Sequence, residues 1–314
     1  MKKLLLVLVL VSALSIAIVS VASADNGPHG GFTPTADGCA GCHRAHTASG
    51  PNLLVASSTL ALCYTCHNTT GTGADTNVED GVYLERDGVT EVPTEGDPGR
   101  GLKAGGFANA LMDSDLDATA ASAASTSAHT IDLTAGTLWG NGAISAAANP
   151  GPTGFQLDCA NCHDPHGSAG AGGVATYRIL RDIPNGSGGT GTTVGDETNK
   201  WYTVADLNNQ YWDETYGNGT DLASWCSECH TRYLAGAGSG STDSGDAVFM
   251  YRHRTDAGFV NCMSCHVAHG SSATMGTFSG AVEWPDGATT PNGDARSSLL
   301  RVDNRGVCQQ CHNK

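Results

Sequence analysis

The stretch Cys39-Ala40-Gly41-Cys42-His43-Arg44-Ala45-His46 decides how the rest of the chain is read. Two cysteines three apart, with a histidine directly after the second, form the attachment signature of a c-type haem. The two thiols suit thioether bonds to the two vinyl groups of haem. The adjacent imidazole then lies at the iron as its proximal ligand. A second histidine, three residues on, offers another ligand. The pattern recurs as Cys159-Ala160-Asn161-Cys162-His163-Asp164-Pro165-His166 and as Cys262-Met263-Ser264-Cys265-His266-Val267-Ala268-His269.

Working outward, all 12 cysteines fall in Cys-x-x-Cys pairs, and a histidine follows every pair. The pairs are Cys39/Cys42/His43, Cys63/Cys66/His67, Cys159/Cys162/His163, Cys226/Cys229/His230, Cys262/Cys265/His266 and Cys308/Cys311/His312. Zinc ribbons also use paired Cys-x-x-Cys, and disulfides suit an exported chain. Neither explains a histidine after each pair. Of the 12 histidines, six are thereby proximal. The other six, His29, His46, His129, His166, His253 and His269, equal the number of distal ligands that six bis-histidine irons require.

Composition agrees. The chain has 314 residues, 42 of them glycine, with 6% aromatics. Ordering each residue costs about 1–2 kcal/mol of backbone entropy, and such side chains offer little burial in return. Haem discs would supply the missing core. The expected fold is therefore mostly irregular coil with short helices around a haem stack and little regular secondary structure.

Met1-Lys2-Lys3, the apolar run Leu4 to Val21 and Ala22-Ser23-Ala24 read as residues 1–24 of a cleaved signal peptide. An exported, extracellular or outer-surface protein follows, with the periplasm as the alternative. Covalent haem attachment happens outside the cytoplasm. Without Lys2 and Lys3 the chain keeps 14 basic residues against 31 acidic ones, a formal charge of −17. Nucleic acid is excluded as a partner, because phosphate binding needs clustered Lys and Arg.

The motif order repeats. His29, Cys39–His46 and Cys63–His67 form one unit, residues 25–68. His129, Cys159–His166 and Cys226–His230 form a second, 129–231. His253, Cys262–His269 and Cys308–His312 form a third, 253–314. Residues 25–314 thus read as one hexahaem domain of three doubled units. The apolar stretches Asn52-Leu53-Leu54, Tyr177-Arg178-Ile179-Leu180-Arg181 and Ser298-Leu299-Leu300-Arg301 sit in matching places. They are expected on haem edges, with Arg181 and Arg301 either at propionates or solvated. Trp201, Tyr202, Tyr211, Trp212 and Trp225 are expected around the fourth haem, with a short strand near Trp201. Asp113, Asp115 and Asp117 read as a solvated acidic loop.

His43 and His46, three apart on a short helix, would share a face and cannot clamp one iron from both sides. His46 therefore serves a different haem, as do His166 and His269 in their units. If His166 serves the first haem of unit one and His269 that of unit two, the pattern shifts by one unit. His46 is then left for the Cys262/Cys265 haem of a neighbouring chain, a heterologous contact that builds a filament. Ligation closed within one subunit is the rival.

With these residues quoted, the chain resembles the hexahaem outer-surface c-type cytochromes that polymerise into extracellular nanowires (the OmcS type). The resemblance rests on the order of the six motifs, His29, Cys39–His46, Cys159–Gly167, Tyr177–Leu180, Trp225–His230, Arg252-His253, Asn261–His266 and Cys308–Lys314. It implies six bis-histidine haems and ligation of the adjacent subunit's fifth haem by the residue matching His46. The chain is shorter than that family in its loops, so surface and partner details do not carry over. The function expected is electron transfer to distant acceptors, fed by upstream outer-membrane or periplasmic cytochromes. A monomeric shuttle is the alternative. A multihaem reductase would need an open iron position, and 12 histidines fill 12 axial positions, so no enzyme is expected.

Overall fold

The computed structural model describes residues 29, 38–69, 74, 76–83, 101–115, 121–142, 152–167, 177–194, 201–202, 219–233, 262–275 and 298–305. Residues 1–24, Asp117, Tyr211, Trp212, His253, Cys308, Cys311 and His312 lie outside the described residues.

Short helices carry the motifs, because two cysteines one turn apart share a face. Helix α1 (Thr59–His67) holds Cys63, Cys66 and His67, and Ser58 caps its start by accepting from the Ala61 N–H. Helix α2 (Cys159–Cys162) opens on a capping box. Asp158 accepts from the Asn161 N–H at 3.1 Å, and Asn161 accepts from the Asp158 N–H at 2.7 Å. Helix α3 (Gly219–Cys226) ends on the first cysteine of its motif, and α4 (Cys262–Cys265) spans its own. The first motif departs from this: Cys39 lies in a 3₁₀ turn, Gly38–Gly41.

Ten short strands complete the described elements: β1 (Thr76–Asn77), β2 (Val82–Tyr83), β3 (Gly101–Leu102), β4 (Asn109–Met112), β5 (Ala121–Ala124), β6 (Ser127–Ala128), β7 (Gly136–Thr137), β8 (Thr153–Phe155), β9 (Trp201–Tyr202) and β10 (Gly270–Ser271). They pair antiparallel as β1-β2-β3-β9, β4-β5, β6-β10 and β7-β8. The mostly-coil fold expected from composition is observed. The strand expected near Trp201 is β9.

Apolar packing is confined to small clusters. Leu180, Val194, Leu222 and Met263 form one, with Trp225 and Ala268 against it. Ala110, Met112 and Val267 form another, joined by Leu299. Helix α1 packs on α2, and α3 on α4. The sulfurs of Cys63 and Cys159 face each other across the first contact, and those of Cys226 and Cys262 across the second. One backbone crossing needs glycine on both sides. Gly105 (φ +71°) bridges Gly270, and a Cβ on either would fall about 2 Å from the other strand's carbonyl oxygen. This crossing lets the His269 N–H reach the Ala104 carbonyl at 2.7 Å.

No helix among the described residues is long and apolar enough to cross a membrane.

Candidate haem-ligating site

Three stretches of very different loop length end in the same local structure. Asn52-Leu53, Arg178-Ile179 and Ser298-Leu299 are consecutive non-glycine residues with φ between 50° and 61°. Left-handed backbone costs roughly 1–2 kcal/mol per such residue, so two in a row, three times, mark a constraint. Each pair turns the chain so that the following leucine, Leu54, Leu180 or Leu300, bridges His43, His163 or His266 respectively. All three leucines are buried. The first carbonyl of each pair meets the imidazole: His43 Nδ1 lies 2.9 Å from Asn52 O, His163 Nδ1 2.8 Å from Arg178 O, and His266 Nδ1 3.1 Å from Ser298 O. The second carbonyl accepts from the next backbone N–H, that of Arg44, Asp164 or Val267.

An arginine holds the other side of each turn. Arg44, Arg181 and Arg301 each donate Nε–H to the carbonyl of the residue after the first cysteine: Ala40, Ala160 and Met263, at 3.2, 2.6 and 2.7 Å. Arg181 and Arg301 therefore stiffen the attachment turn instead of lying free in solvent. The x-Leu-Leu stretches support the proximal imidazoles from behind, a role the sequence did not assign to them.

The short motifs use other carbonyls for the same purpose. His67 Nδ1 meets Thr76 O at 3.1 Å and Thr76 Oγ1 at 2.9 Å, and His230 Nδ1 meets Trp139 O at 2.6 Å. Two lone histidines are held likewise, His29 by Pro165 O at 2.9 Å and His129 by Ala268 O at 2.6 Å. A carbonyl accepts only from N–H, so these seven rings carry the proton on Nδ1 and leave the Nε2 lone pair for a metal. Backbone-oriented imidazole of this kind is the usual second layer of a metal site.

The rings then meet in twos. Ring centroids are 6.0 Å apart for His43 and His166, 6.1 Å for His29 and His67, 6.3 Å for His129 and His230, and 6.3 Å for His163 and His269. Two imidazoles on opposite sides of one metal ion sit roughly 6 Å apart, given bonds of about 2 Å and the distance from nitrogen to ring centre. The residues present thus fit a bis-histidine iron four times over. Among the described residues no group of three or more His, Cys, Asp or Glu converges as a metal cage.

Burial keeps the inner imidazoles in the binding form. Desolvation pushes His129 and His163 below the free value, His230 to about 4 and His269 to about 3. These rings keep some exposed area, yet protein surrounds them closely enough for desolvation to dominate. At pH 7 they are neutral.

One expectation is corrected in form. His163 is extended (φ −107°, ψ 147°) at the end of α2, so His163 and His166 do not share a helical face. They still serve different partners, His269 and His43. Of the aromatic residues, Trp225 donates Nε1–H to Arg181 O at 2.6 Å within the Leu180 cluster, and Trp201 and Tyr202 form the edge strand β9.

Cys-x-x-Cys pairs, a histidine after each, and imidazoles paired across one metal's width are the marks of a haem-binding, electron-transferring multihaem c-type cytochrome. The doubled CXXCH motif, the family model that matches, covers residues 33–72 and supports that class. No curated protein and no solved structure matches the chain.

When bound, haem supplies an iron that takes up and releases one electron at a time. The described residues brace three attachment turns, hold seven imidazoles in one tautomer, and join neighbouring sites. His163 and His166 tie two sites through a three-residue link, as do His266 and His269. The α1–α2 and α3–α4 contacts bring the cysteines of consecutive motifs together.

Proposed function

We propose that the chain is a hexahaem extracellular electron conduit that polymerises head to tail, with His46 ligating the Cys262/Cys265 haem of the neighbouring copy. Bis-histidine coordination at all six irons leaves no open position, so the proposal assigns no catalysis. Electrons enter from upstream outer-membrane or periplasmic cytochromes and leave to distant extracellular acceptors.

One observation carries the reading. Each long motif serves the unit before it, and does so twice. His166 meets His43 while Pro165 O holds His29. His269 meets His163 while Ala268 O holds His129. Ala45 and His46 are the corresponding residues of the first long motif, and both are exposed. A second copy, offering its Cys262/Cys265 haem to them, extends the rule that the two inner junctions follow.

The test is a His46→Ala variant carrying its full haem complement. Electron microscopy should show single particles where the parent protein forms filaments, and one haem per subunit should become high-spin. Filaments of normal length from the variant would sink the intersubunit ligand. A parent protein that stays monomeric would favour a shuttle.

A further inference from the structure

The three long motifs share their cysteines and histidines, but the residue after the proximal histidine is Arg44, Asp164 or Val267. This position borders the histidine that serves a different site. Asp164 accepts the backbone N–H of His166 at 3.1 Å, and its Oδ1 lies 3.6 Å from His166 Nδ1. A carboxylate therefore stands beside the distal imidazole paired with His43. In the next unit Val267, 1% exposed, takes that position. His269 Nδ1 is buried there without a hydrogen-bond partner. The Gly105 backbone acts on the ring only as the weakest of its influences, in the direction of a poor acceptor. The Phe107 ring covers His269 at 4.6 Å between centroids, 23° from parallel. The proximal sides match, since His43 and His163 both donate to a left-handed carbonyl at 2.9 and 2.8 Å. Only the distal surroundings differ.

We propose that Asp164, against Val267 and Phe107, sets a potential difference between two adjacent sites, with the His43/His166 site lower and the His163/His269 site higher. This rests on the bis-histidine reading above. Adding one electron removes one positive charge at the iron, with no proton needed. A carboxylate beside the ligand favours the oxidised form by its negative charge. A ligand N–H with no acceptor, under an aromatic ring and an aliphatic side chain, does the reverse. Arg178 and Arg181 bear on His163 with positive charge in the same direction. Arg44, on the His43 side, opposes but is exposed and so screened. The inner site is then the place where an electron in the chain rests, and the outer site the one it leaves.

Asp164 and Phe107 are positioning residues, and the test reads potentials on the haem-loaded protein. Low-spin irons with near-parallel imidazole planes give rhombic electron paramagnetic resonance signals, and steeply crossed planes give strongly anisotropic ones. The His43/His166 planes are 18° apart and the His163/His269 planes 66° apart, so a redox titration followed by resonance separates the two. In the parent protein the rhombic signal should reduce last. Asp164→Asn should favour reduction of that site by up to about tenfold, about 59 mV for one electron, and leave the anisotropic signals in place. Phe107→Leu, which admits water beside His269 Nδ1, should lower one anisotropic component and leave the rhombic one. An Asp164→Asn protein with intact low-spin spectra and an unmoved or lowered rhombic midpoint overturns the proposal. So does a parent protein whose rhombic site reduces first. High-spin iron at the His43 site before any titration faults the ligation reading itself, and the starting spectrum tells the two failures apart.

Discussion

The first and third long motifs, Cys39–His46 and Cys262–His269, share a pattern, a left-handed clamp and an arginine brace, yet they live in opposite surroundings. Leu53, Ala45 and His46 are exposed, whereas Leu299 packs on the Ala110 cluster, Val267 is 1% exposed and the Nδ1 of His269 is out of reach of solvent. The attachment turn is therefore local, built within each unit. Burial is not local: the third motif is covered by residues far earlier in the chain, Ala110 and Met112 between the first two units and Leu180 and Leu222 of the second.

The sharpest way to break this comparison is at the Gly105–Gly270 crossing, which exists only for the interior motif. A Cβ at Gly105 would fall 1.9 Å from the Gly270 carbonyl oxygen, and φ +71° disfavours alanine in any case. Gly105→Ala should cost well over 2 kcal/mol, by backbone displacement and left-handed strain together. His269 should lose its place opposite His163. Haem-loaded Gly105→Ala should show one high-spin iron and a lower thermal midpoint, while the His43/His166 signal persists. A variant that keeps every iron low-spin would mean that the crossing does not seat His269.

Much of this arrangement is legible in the sequence, because covalent and metal chemistry is tied to residue type. Cys-x-x-Cys-His and the match of six proximal to six remaining histidines follow from counting. The shift by one unit is one of two assignments the repeat allows, and the His43/His166 and His163/His269 ring pairs follow it. The supports are less legible because they are backbone carbonyls. Nothing about Trp139, 91 residues from His230, or Ala268, 139 residues from His129, marks its oxygen as an acceptor. Those separations are set by loop closure. The clamps were half visible: the repeated x-Leu-Leu stretches stood out as apolar, but hydropathy does not reveal positive φ. Phe107 carried no signal at all.

A middle-sized effect separates the braces. Arg301 is 5% exposed and donates to Met263 O through Nε and to Lys103 O through Nη2, at 2.7 and 2.8 Å. Arg44 makes the equivalent Nε bond at 3.2 Å from the surface. Hydrogen bonds from charged donors contribute about 1.5–3 kcal/mol when shielded from water, and exposed ones much less. Arg301→Met should lower stability by about 2 kcal/mol, with loss of order around α4. Arg44→Met should change it by under about 0.5 kcal/mol. Chemical denaturation of the two variants measures the contrast, and equal losses would mean that the braces do not differ by burial.

The smallest expected effect carries the comparison furthest. Leu53 sits at φ 59° and is 53% exposed. Asparagine tolerates left-handed backbone better than leucine does, and little buried surface is lost at that site. Leu53→Asn should therefore stabilise an isolated subunit by up to about 1 kcal/mol. At Leu299, with φ 61° and its side chain packed on the Ala110 cluster, the same change should destabilise, because lost burial of roughly 1.5–3 kcal/mol outweighs the relieved strain. If a neighbouring copy covers the first motif as the Ala110 cluster covers the third, Leu53→Asn also weakens assembly while strengthening the subunit. Thermal unfolding of the dilute protein and its concentration-dependent association should then move in opposite directions. Movement together, or a gain at Leu299, would show that exposure at Leu53 does not mark a surface awaiting a preceding unit.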